Sequence, residues 1–182
     1  MTLKIVVYGD KKSGKTSFIN RLLYNTFSYK YLPTKNISII NTNYIFSRRG
    51  EHHSLQNKED FININLFECP ENSILKDMCY IDANAVILIY DITNKKSFDN
   101  LYTYYKNIKN INNNIPILIL ANKNDSIKEH FYDYSLTESY SLDNIKSFTI
   151  SCKNKLDKNI HISFNYLLSK LKGLSPFKYA PF

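Results

Sequence analysis

The chain has 182 residues, of which 43% are hydrophobic and 22% are charged, and its formal net charge is +8. These values fit a single globular domain with a core of its own. A basic surface suits nucleic acid, an acidic membrane or a phosphorylated small molecule. Because no block of Lys and Arg stands apart and no ribonucleoprotein motif is present, nucleic acid is not expected among the partners.

The cysteines and the N-terminus indicate a cytoplasmic protein. Cys69, Cys79 and Cys152 lack the spacing of a zinc site, so we expect reduced thiols. The first four residues contain neither a hydrophobic targeting segment nor the glycine that myristoylation needs. The longest apolar runs, such as "AVILIY", are too short to cross a bilayer and have the length of buried strands.

The opening segment predicts a strand, a glycine loop and a helix. "LKIVVY" at residues 3–8 is a β-rich run that ends in "GDKKSGKT" at residues 9–16. The following "KTSFINRLLYNTF" places Phe18, Leu22 and Leu23 at helical spacing. Only four glycines occur in the whole chain, and two of them, Gly9 and Gly14, lie in this loop.

Strands and helices alternate along the rest of the chain, which predicts an α/β fold. We expect a mostly parallel six-stranded sheet with helices on both faces, and ligands beyond the carboxyl ends of the strands. A helix at 94–111 has Asn94 or Ser97 available as its cap, and a polar loop is expected at 48–59. The predicted strands are 36–47, 60–69, 84–91, 115–125 and 147–153, and an amphipathic helix at 157–173 ends at Gly173.

The glycine loop matches G-x-x-x-x-G-K-[ST], directly after a strand and directly before a helix. Successive backbone N–H groups from Lys12 to Ser17 are expected to surround a phosphate, and the helix N-terminus adds partial positive charge. Lys15 is expected to reach the β- and γ-phosphates. Thr16 is expected to coordinate Mg²⁺, which prefers oxygen ligands.

A second motif, "NKND" at residues 122–125, indicates which base is bound. The carboxylate of Asp125 can accept two hydrogen bonds from guanine, and adenine cannot supply that pair. Asn122 is expected to tie this turn to the glycine loop, and the stem of Lys123 to lie over the base. N-K-x-D alone also fits an ordinary polar turn, but its place after a buried strand favours guanine recognition.

With these motifs the chain resembles the Ras-like small GTPases, and Rab members in particular. "GDKKSGKT" matches the first motif of that family, "NKND" the fourth, "SCK" at 151–153 the S-A-K motif and "FSYKYLPT" at 27–34 the switch I segment. The resemblance implies the small-GTPase form of the P-loop NTPase fold. It further implies that Phe27 stacks on guanine, that Tyr31 closes over the phosphates, and that Thr34 binds Mg²⁺ and senses the γ-phosphate.

The same resemblance implies GTP or GDP with Mg²⁺ as ligands and a domain over residues 1–174, followed by a short flexible tail at 175–182. Thr16 and Thr34 are the expected metal ligands. The expected nucleotide-binding residues are Gly9, Lys12, Ser13, Gly14, Lys15, Thr16, Ser17, Phe27, Tyr31, Thr34, Asn122, Lys123, Asp125, Ser151, Cys152 and Lys153.

The third family motif, W-D-T-A-G-Q-E, is altered in this chain. Glu68 stands where the family has the aspartate associated with Mg²⁺, and Cys69, Pro70, Glu71 and Asn72 follow. No glycine occurs between residues 50 and 173, and the only glutamine, at position 56, precedes this segment. The family's glutamine orients the attacking water. We therefore expect slow GTP hydrolysis, an impaired response of switch II, and no catalytic residue of the usual kind.

Two further departures concern the glycine loop and the lipid anchor. Lys11 and Lys12 occupy positions where the family has small residues. Their side chains either point into solvent, or Lys11 approaches the γ-phosphate or blocks an incoming arginine finger. No cysteine follows Cys152, so prenylation is not expected and a membrane would be reached only through a partner.

Three functions compete on this sequence. The first is a guanine-nucleotide switch in trafficking or signalling that binds effector and regulatory proteins and hydrolyses GTP slowly. The second is a pseudo-GTPase, an interaction module that holds GTP or GDP as a structural ligand. The third is a P-loop kinase or ATPase, which Asp125 argues against.

Overall fold

Six strands and four helices make up the part of the chain that the computed structural model describes, which is residues 2–46, 60–70, 76–126 and 145–173. The strands are β1 (Thr2–Tyr8), β2 (Ser38–Phe46), β3 (Asp60–Glu68), β4 (Ala85–Asp91), β5 (Ile117–Asn122) and β6 (Ile145–Ile150). The helices are α1 (Lys15–Tyr24), α2 (Lys76–Tyr80), α3 (Lys95–Ile111) and α4 (Asn159–Leu171).

The strands form one sheet in the order β2-β3-β1-β4-β5-β6, and only the β2–β3 pair is antiparallel. The predicted mostly parallel six-stranded sheet is therefore confirmed. Val7 of β1 pairs with Glu68 of β3 on one side and with Ile87 of β4 on the other. The strands that follow β1 are added on both of its sides, so the strand order reverses at β1. In α/β folds a crevice for ligands opens at such a point.

Helices cover both faces of the sheet, as predicted. Side chains of successive residues in a strand point to opposite faces, so each strand contributes to two cores. On one face α1 and α4 pack through residues such as Phe18 and Phe164, and on the other α2 and α3 pack through residues such as Tyr80 and Leu101. Six of the seven residues of β4 are buried and only Asp91 is not, which explains the continuous apolar sequence of this strand.

Helices α1 and α3 both begin near the sheet's carboxyl edge, but they start differently. Asn94 caps α3, because its side-chain oxygen accepts a hydrogen bond from the Lys96 amide at 3.1 Å. Ser97, the other predicted cap, instead accepts a hydrogen bond from the amide of Asp91 at 3.1 Å. No described side chain caps α1, which begins directly after Gly14. A helix start without a side-chain cap is a place where an anionic group can bind.

Some elements differ from the sequence prediction. Strand β6 begins at Ile145, two residues before the predicted strand, and no helix was predicted where the five-residue α2 lies. So short a helix shows too little periodicity to be recognised from sequence. The polar loop predicted at 48–59 and the tail predicted at 175–182 lie outside the described residues. Among the described residues, no helix has the length and apolar character to span a bilayer.

Glycine at position 9 is required where β1 passes β4. Gly9 has φ 144°, and a Cβ atom there would lie 2.0 Å from the backbone oxygen of Ile89. Gly173 also has positive φ, at 66°, but a Cβ there would meet nothing within 4 Å. A side chain at position 173 would therefore cost backbone strain alone, whereas one at position 9 would also cost a clash with β4.

We predict that Gly9→Ala lowers the free energy of unfolding by about 3 kcal/mol, because it adds a clash with β4 to the backbone strain. The matched variant Gly173→Ala should cost about 1 kcal/mol, from backbone strain alone. Urea unfolding followed by circular dichroism measures both. Equal losses in the two variants would contradict the requirement for close passage between β1 and β4.

Candidate functional site

A cleft of about 1170 Å³ lies at the carboxyl edge of the sheet. Four segments form most of its wall: the loop from β1 into α1, residues 27–35, the turn after β5 and the loop after β6. Glu68 and Pro70 at the end of β3 complete the lining. The cleft thus lies at the place in the sheet where the sequence predicted a ligand.

The phosphate loop, residues 9–16, folds around the ammonium group of Lys15. Lys15 is buried, and its Nζ donates to the backbone oxygens of Gly9 at 2.7 Å and Asp10 at 2.8 Å. The loop then continues into the uncapped N-terminus of α1. An ammonium group next to open helix amides is a suitable environment for an anionic group.

Asn122 joins three segments that are far apart in the sequence. Its Nδ2 donates to the backbone oxygen of Ser13 at 2.9 Å, and its Oδ1 accepts from the amide of Cys152 at 3.1 Å. Gly14 has φ 104°, and a Cβ there would lie 2.1 Å from Asn122 Nδ2. Glycine at position 14 therefore permits both the backbone conformation and the approach of Asn122.

Asp125 lines the cleft and is held by the base loop, which we define as residues 151–153. The hydroxyl of Ser151 donates to Asp125 Oδ1 at 2.5 Å, and Lys153 Nζ lies 3.7 Å from Asp125 Oδ2. Burial raises the pKa of the Cys152 thiol to about 12, so this neighbour stays neutral and unreactive. The carboxylate of Asp125 is therefore fixed at the wall of the cleft.

Lys123 is oriented by an ion pair with Asp91 at the end of β4. Burial pushes the pKa of Asp91 upward, but hydrogen bonds from Lys123 and Thr93 outweigh burial and hold that pKa below its usual value. Lys123 itself has φ 73°, so the turn after β5 is tight. The ion pair keeps the stem of Lys123 along the cleft wall, where it is expected to cover a base.

Three side-chain oxygens converge at the phosphate end of the cleft. Glu68 Oε1 accepts from the Thr16 hydroxyl at 2.5 Å and from the Thr34 hydroxyl at 3.1 Å, and the two hydroxyls are 3.3 Å apart. The described residues contain no group of three or more His, Cys, Asp or Glu side chains that could hold a metal ion. One carboxylate with two hydroxyls fits Mg²⁺, which usually binds through one or two carboxylates together with phosphates.

The cleft is strongly basic. The acidic residues in its lining are Glu68 and Asp125. The lysines in its lining are Lys11, Lys12, Lys15, Lys30, Lys35, Lys123 and Lys153. This excess of positive charge favours a ligand with several negative charges.

The structure brings most of the predicted nucleotide-binding residues to this lining. Gly9, Ser13 and Ser151 instead lie behind it: they accept or donate the hydrogen bonds that fix Lys15, Asn122 and Asp125. The predicted residues in the lining are Lys12, Gly14, Lys15, Thr16, Ser17, Phe27, Tyr31, Thr34, Asn122, Lys123, Asp125, Cys152 and Lys153.

Lys12 connects the phosphate loop to the segment at 27–35. Its φ is 66°, a left-handed conformation, and its Nζ lies 5.4 Å from the centre of the Tyr31 ring. The side chain is exposed, as one of the predicted alternatives required, but it also covers an aromatic ring. Lys11 lines the cleft as well.

Several lining residues were not predicted. Lys30 and Lys35 flank Tyr31 and Thr34 in the sequence, so their position next to predicted residues is the signal that was available. Asn20 lies one turn beyond Thr16 on α1, and the helical repeat alone indicates its direction. Glu71 and Asn72, on which the predicted loss of hydrolysis partly depends, lie outside the described residues.

Comparison with known proteins assigns the chain to a family. The profile described as the Ras family matches residues 4–172. The chain is similar to the Ras-related protein RabY of Dictyostelium discoideum, with 29% identity over 170 residues, which cover 92% of this chain and 69% of that protein. Members of the Ras family bind GTP and GDP. This agrees with the basic cleft, which is lined by the glycine loop between β1 and α1. This chain belongs to the Ras family of small GTPases, and within it is a Rab-like protein.

Proposed function

We propose that this protein is a Rab-like molecular switch that binds GTP and GDP with Mg²⁺ and hydrolyses GTP slowly. The observation that carries the proposal is the cleft wall in which Asn122 joins the phosphate loop to the base loop while Ser151 fixes the carboxylate of Asp125. A polyphosphate site and a guanine-reading carboxylate thus belong to one hydrogen-bonded unit.

The nucleotide's two ends are assigned to different groups. Lys15, the N-terminus of α1 and the lysines at the same end of the cleft, such as Lys12 and Lys35, bind the phosphates, and Asp125 accepts the two hydrogen bonds that guanine donates. Phe27 and the stem of Lys123 cover the base. Thr16, Thr34 and Glu68 are the residues that would hold Mg²⁺, whose chemistry is to neutralise charge on the β- and γ-phosphates.

Slow hydrolysis follows from the sequence after β3. The segment that begins Glu68-Cys69-Pro70 has neither the glycine that contacts a γ-phosphate nor the glutamine that orients water. Thr34, which contacts Glu68, still belongs to the site. Switch I therefore retains a group that senses the γ-phosphate. The conformation of switch I would control the binding of effector proteins, and the protein would act in trafficking or signalling.

A second candidate function is a pseudo-GTPase that holds a nucleotide permanently. The altered segment after β3 favours it, because a switch that neither hydrolyses GTP nor responds through switch II has lost two ways of changing state. Partner binding measured in the GTP and GDP states separates the two functions. Equal binding in both states supports the pseudo-GTPase.

We predict that GDP and GTP raise the midpoint of thermal unfolding by about 10 °C at a thousandfold excess over Kd with Mg²⁺ present, and that ATP does not. Lys15→Ala should abolish the shift, because it removes the buried ammonium group of the phosphate loop. Lys95→Ala removes an exposed lysine of α3 and serves as the control for lost charge. An equal shift with ATP would disprove guanine recognition.

We predict that Glu68→Gln reduces the Mg²⁺-dependent gain in GDP affinity by about tenfold, because it removes the carboxylate charge that faces both threonine hydroxyls. Titration of GDP with Mg²⁺ and with EDTA gives the gain in each variant. Glu68→Asp keeps a carboxylate and should retain most of the gain. If Glu68→Gln shows the full gain, Glu68 takes no part in metal binding.

We predict single-turnover GTP hydrolysis at about 10⁻⁴ per second or slower, because no glutamine follows β3 to orient the attacking water. Release of inorganic phosphate measures the rate. A parallel preparation of Lys15→Ala reports any contaminating phosphatase. A wild-type rate well above that limit, absent from the variant, would show that other residues position the water.

A further inference from the structure

Arg21 is a buried cation at the end of α1, on the side of the base loop away from the proposed ligand. Only 6% of its surface is exposed. Its guanidinium group forms no salt bridge with a carboxylate in the part of the chain that the structure describes. Burying a cation lowers the stability of the fold unless its N–H groups are hydrogen-bonded. The hydrogen bonds of Arg21 are therefore needed to keep it buried.

The guanidinium group contacts two separate segments. Its Nε donates to the backbone oxygen of Cys152 at 3.0 Å, and its Nη2 lies 3.4 Å from that of Lys153. Its Nη1 donates to the backbone oxygen of Asn25 at 2.7 Å and to the side-chain oxygen of Asn25 at 3.0 Å. The planar fork thus joins the end of α1 to two successive carbonyls of the base loop.

These contacts decide which way the base loop faces. The carbonyls of Cys152 and Lys153 turn toward α1, while the amide of Cys152 points to Asn122 on the other side of the loop. The same loop carries Ser151, whose hydroxyl holds the carboxylate of Asp125. Arg21 is not part of the cleft lining, but it holds the backbone of two residues that are, Cys152 and Lys153, and so acts on the base-reading groups through the loop.

We propose that Arg21 is a positioning residue that sets the preference of the cleft for guanine. The inference rests on the proposed guanine-nucleotide function and adds a residue outside the cleft to it. Loss of the fork would let the base loop rotate, which weakens the hold on Asp125 but leaves the hydrogen bond from Asn122 to Ser13 of the phosphate loop in place. Base discrimination should fall, and phosphate binding should not.

The test measures affinity for GDP, ADP and inorganic pyrophosphate in nucleotide-free protein with Mg²⁺ by isothermal titration calorimetry. Arg21→Gln should lower GDP affinity about 10- to 100-fold and shrink the ratio of GDP to ADP affinity by a similar factor. Its affinity for pyrophosphate, which contacts only the phosphate end, should stay within about twofold of the wild type.

Arg21→Lys keeps the charge but has no fork, so an intermediate loss of the GDP-to-ADP ratio is expected. This variant also decides the matter if Arg21→Gln does not fold. Asn25→Gly is the matched control: glycine suits the left-handed conformation at φ 52°, and the change removes the side-chain contact with Arg21 while the backbone contact at 2.7 Å remains. It should retain the wild-type ratio.

The outcomes separate this inference from the function on which it rests. If the wild type does not prefer GDP to ADP, the proposed function fails. If the wild type prefers GDP and both Arg21 variants keep that preference, the positioning role is overturned. A parallel loss of GDP and pyrophosphate affinity in Arg21→Gln, with wild-type behaviour in Arg21→Lys, would also overturn it, because charge alone would then be the cause.

Discussion

The carboxamide of Asn122 is the group on which the cleft depends. It is buried, with 2% of its surface exposed, and its two polar atoms are both used: Nδ2 donates to Ser13 and Oδ1 accepts from Cys152. A carboxylate of the same shape would face the Ser13 carbonyl with an acceptor, and an apolar side chain would leave both backbone groups unsatisfied. Because Gly14 leaves the space that this side chain fills, one side chain fixes both the phosphate loop and the base loop.

The sequence predicted the sheet and most of the cleft lining because their signals are local. A glycine loop between a strand and a helix, and a polar turn after a buried strand, are each encoded within about ten residues. The contacts that were missed join residues far apart in the chain. Arg21 reaches the base loop, and the carboxylate of Asp10 accepts from the side-chain amide of Asn100 at 3.0 Å and from the Tyr104 hydroxyl. No short pattern contains such pairs.

The two ends of the cleft achieve binding by different physical means. At the base end, Asp125 is fixed by a hydrogen bond from Ser151, which is buried. Hydrogen bonds between such groups depend on geometry and little on salt. At the phosphate end, lysines such as Lys12 and Lys35 are exposed, and their attraction for anions is screened by salt. Under the proposed function, geometry therefore determines which base is accepted, while charge contributes mainly to how strongly its phosphates are held.

This division explains how nucleotide binding and an altered switch can coexist in one chain. Most of the groups assigned to phosphate and base follow β1, β5 and β6, whereas the departures that concern GTP hydrolysis follow β3. In the described residues, Thr16 and Thr34 meet the end of β3 through a single carboxylate, that of Glu68. Changes beyond Glu68 therefore leave the hydrogen bonds of Asn122, Ser151 and Arg21 in place. A protein built in this way can lose the machinery of hydrolysis while the nucleotide continues to stabilise its fold.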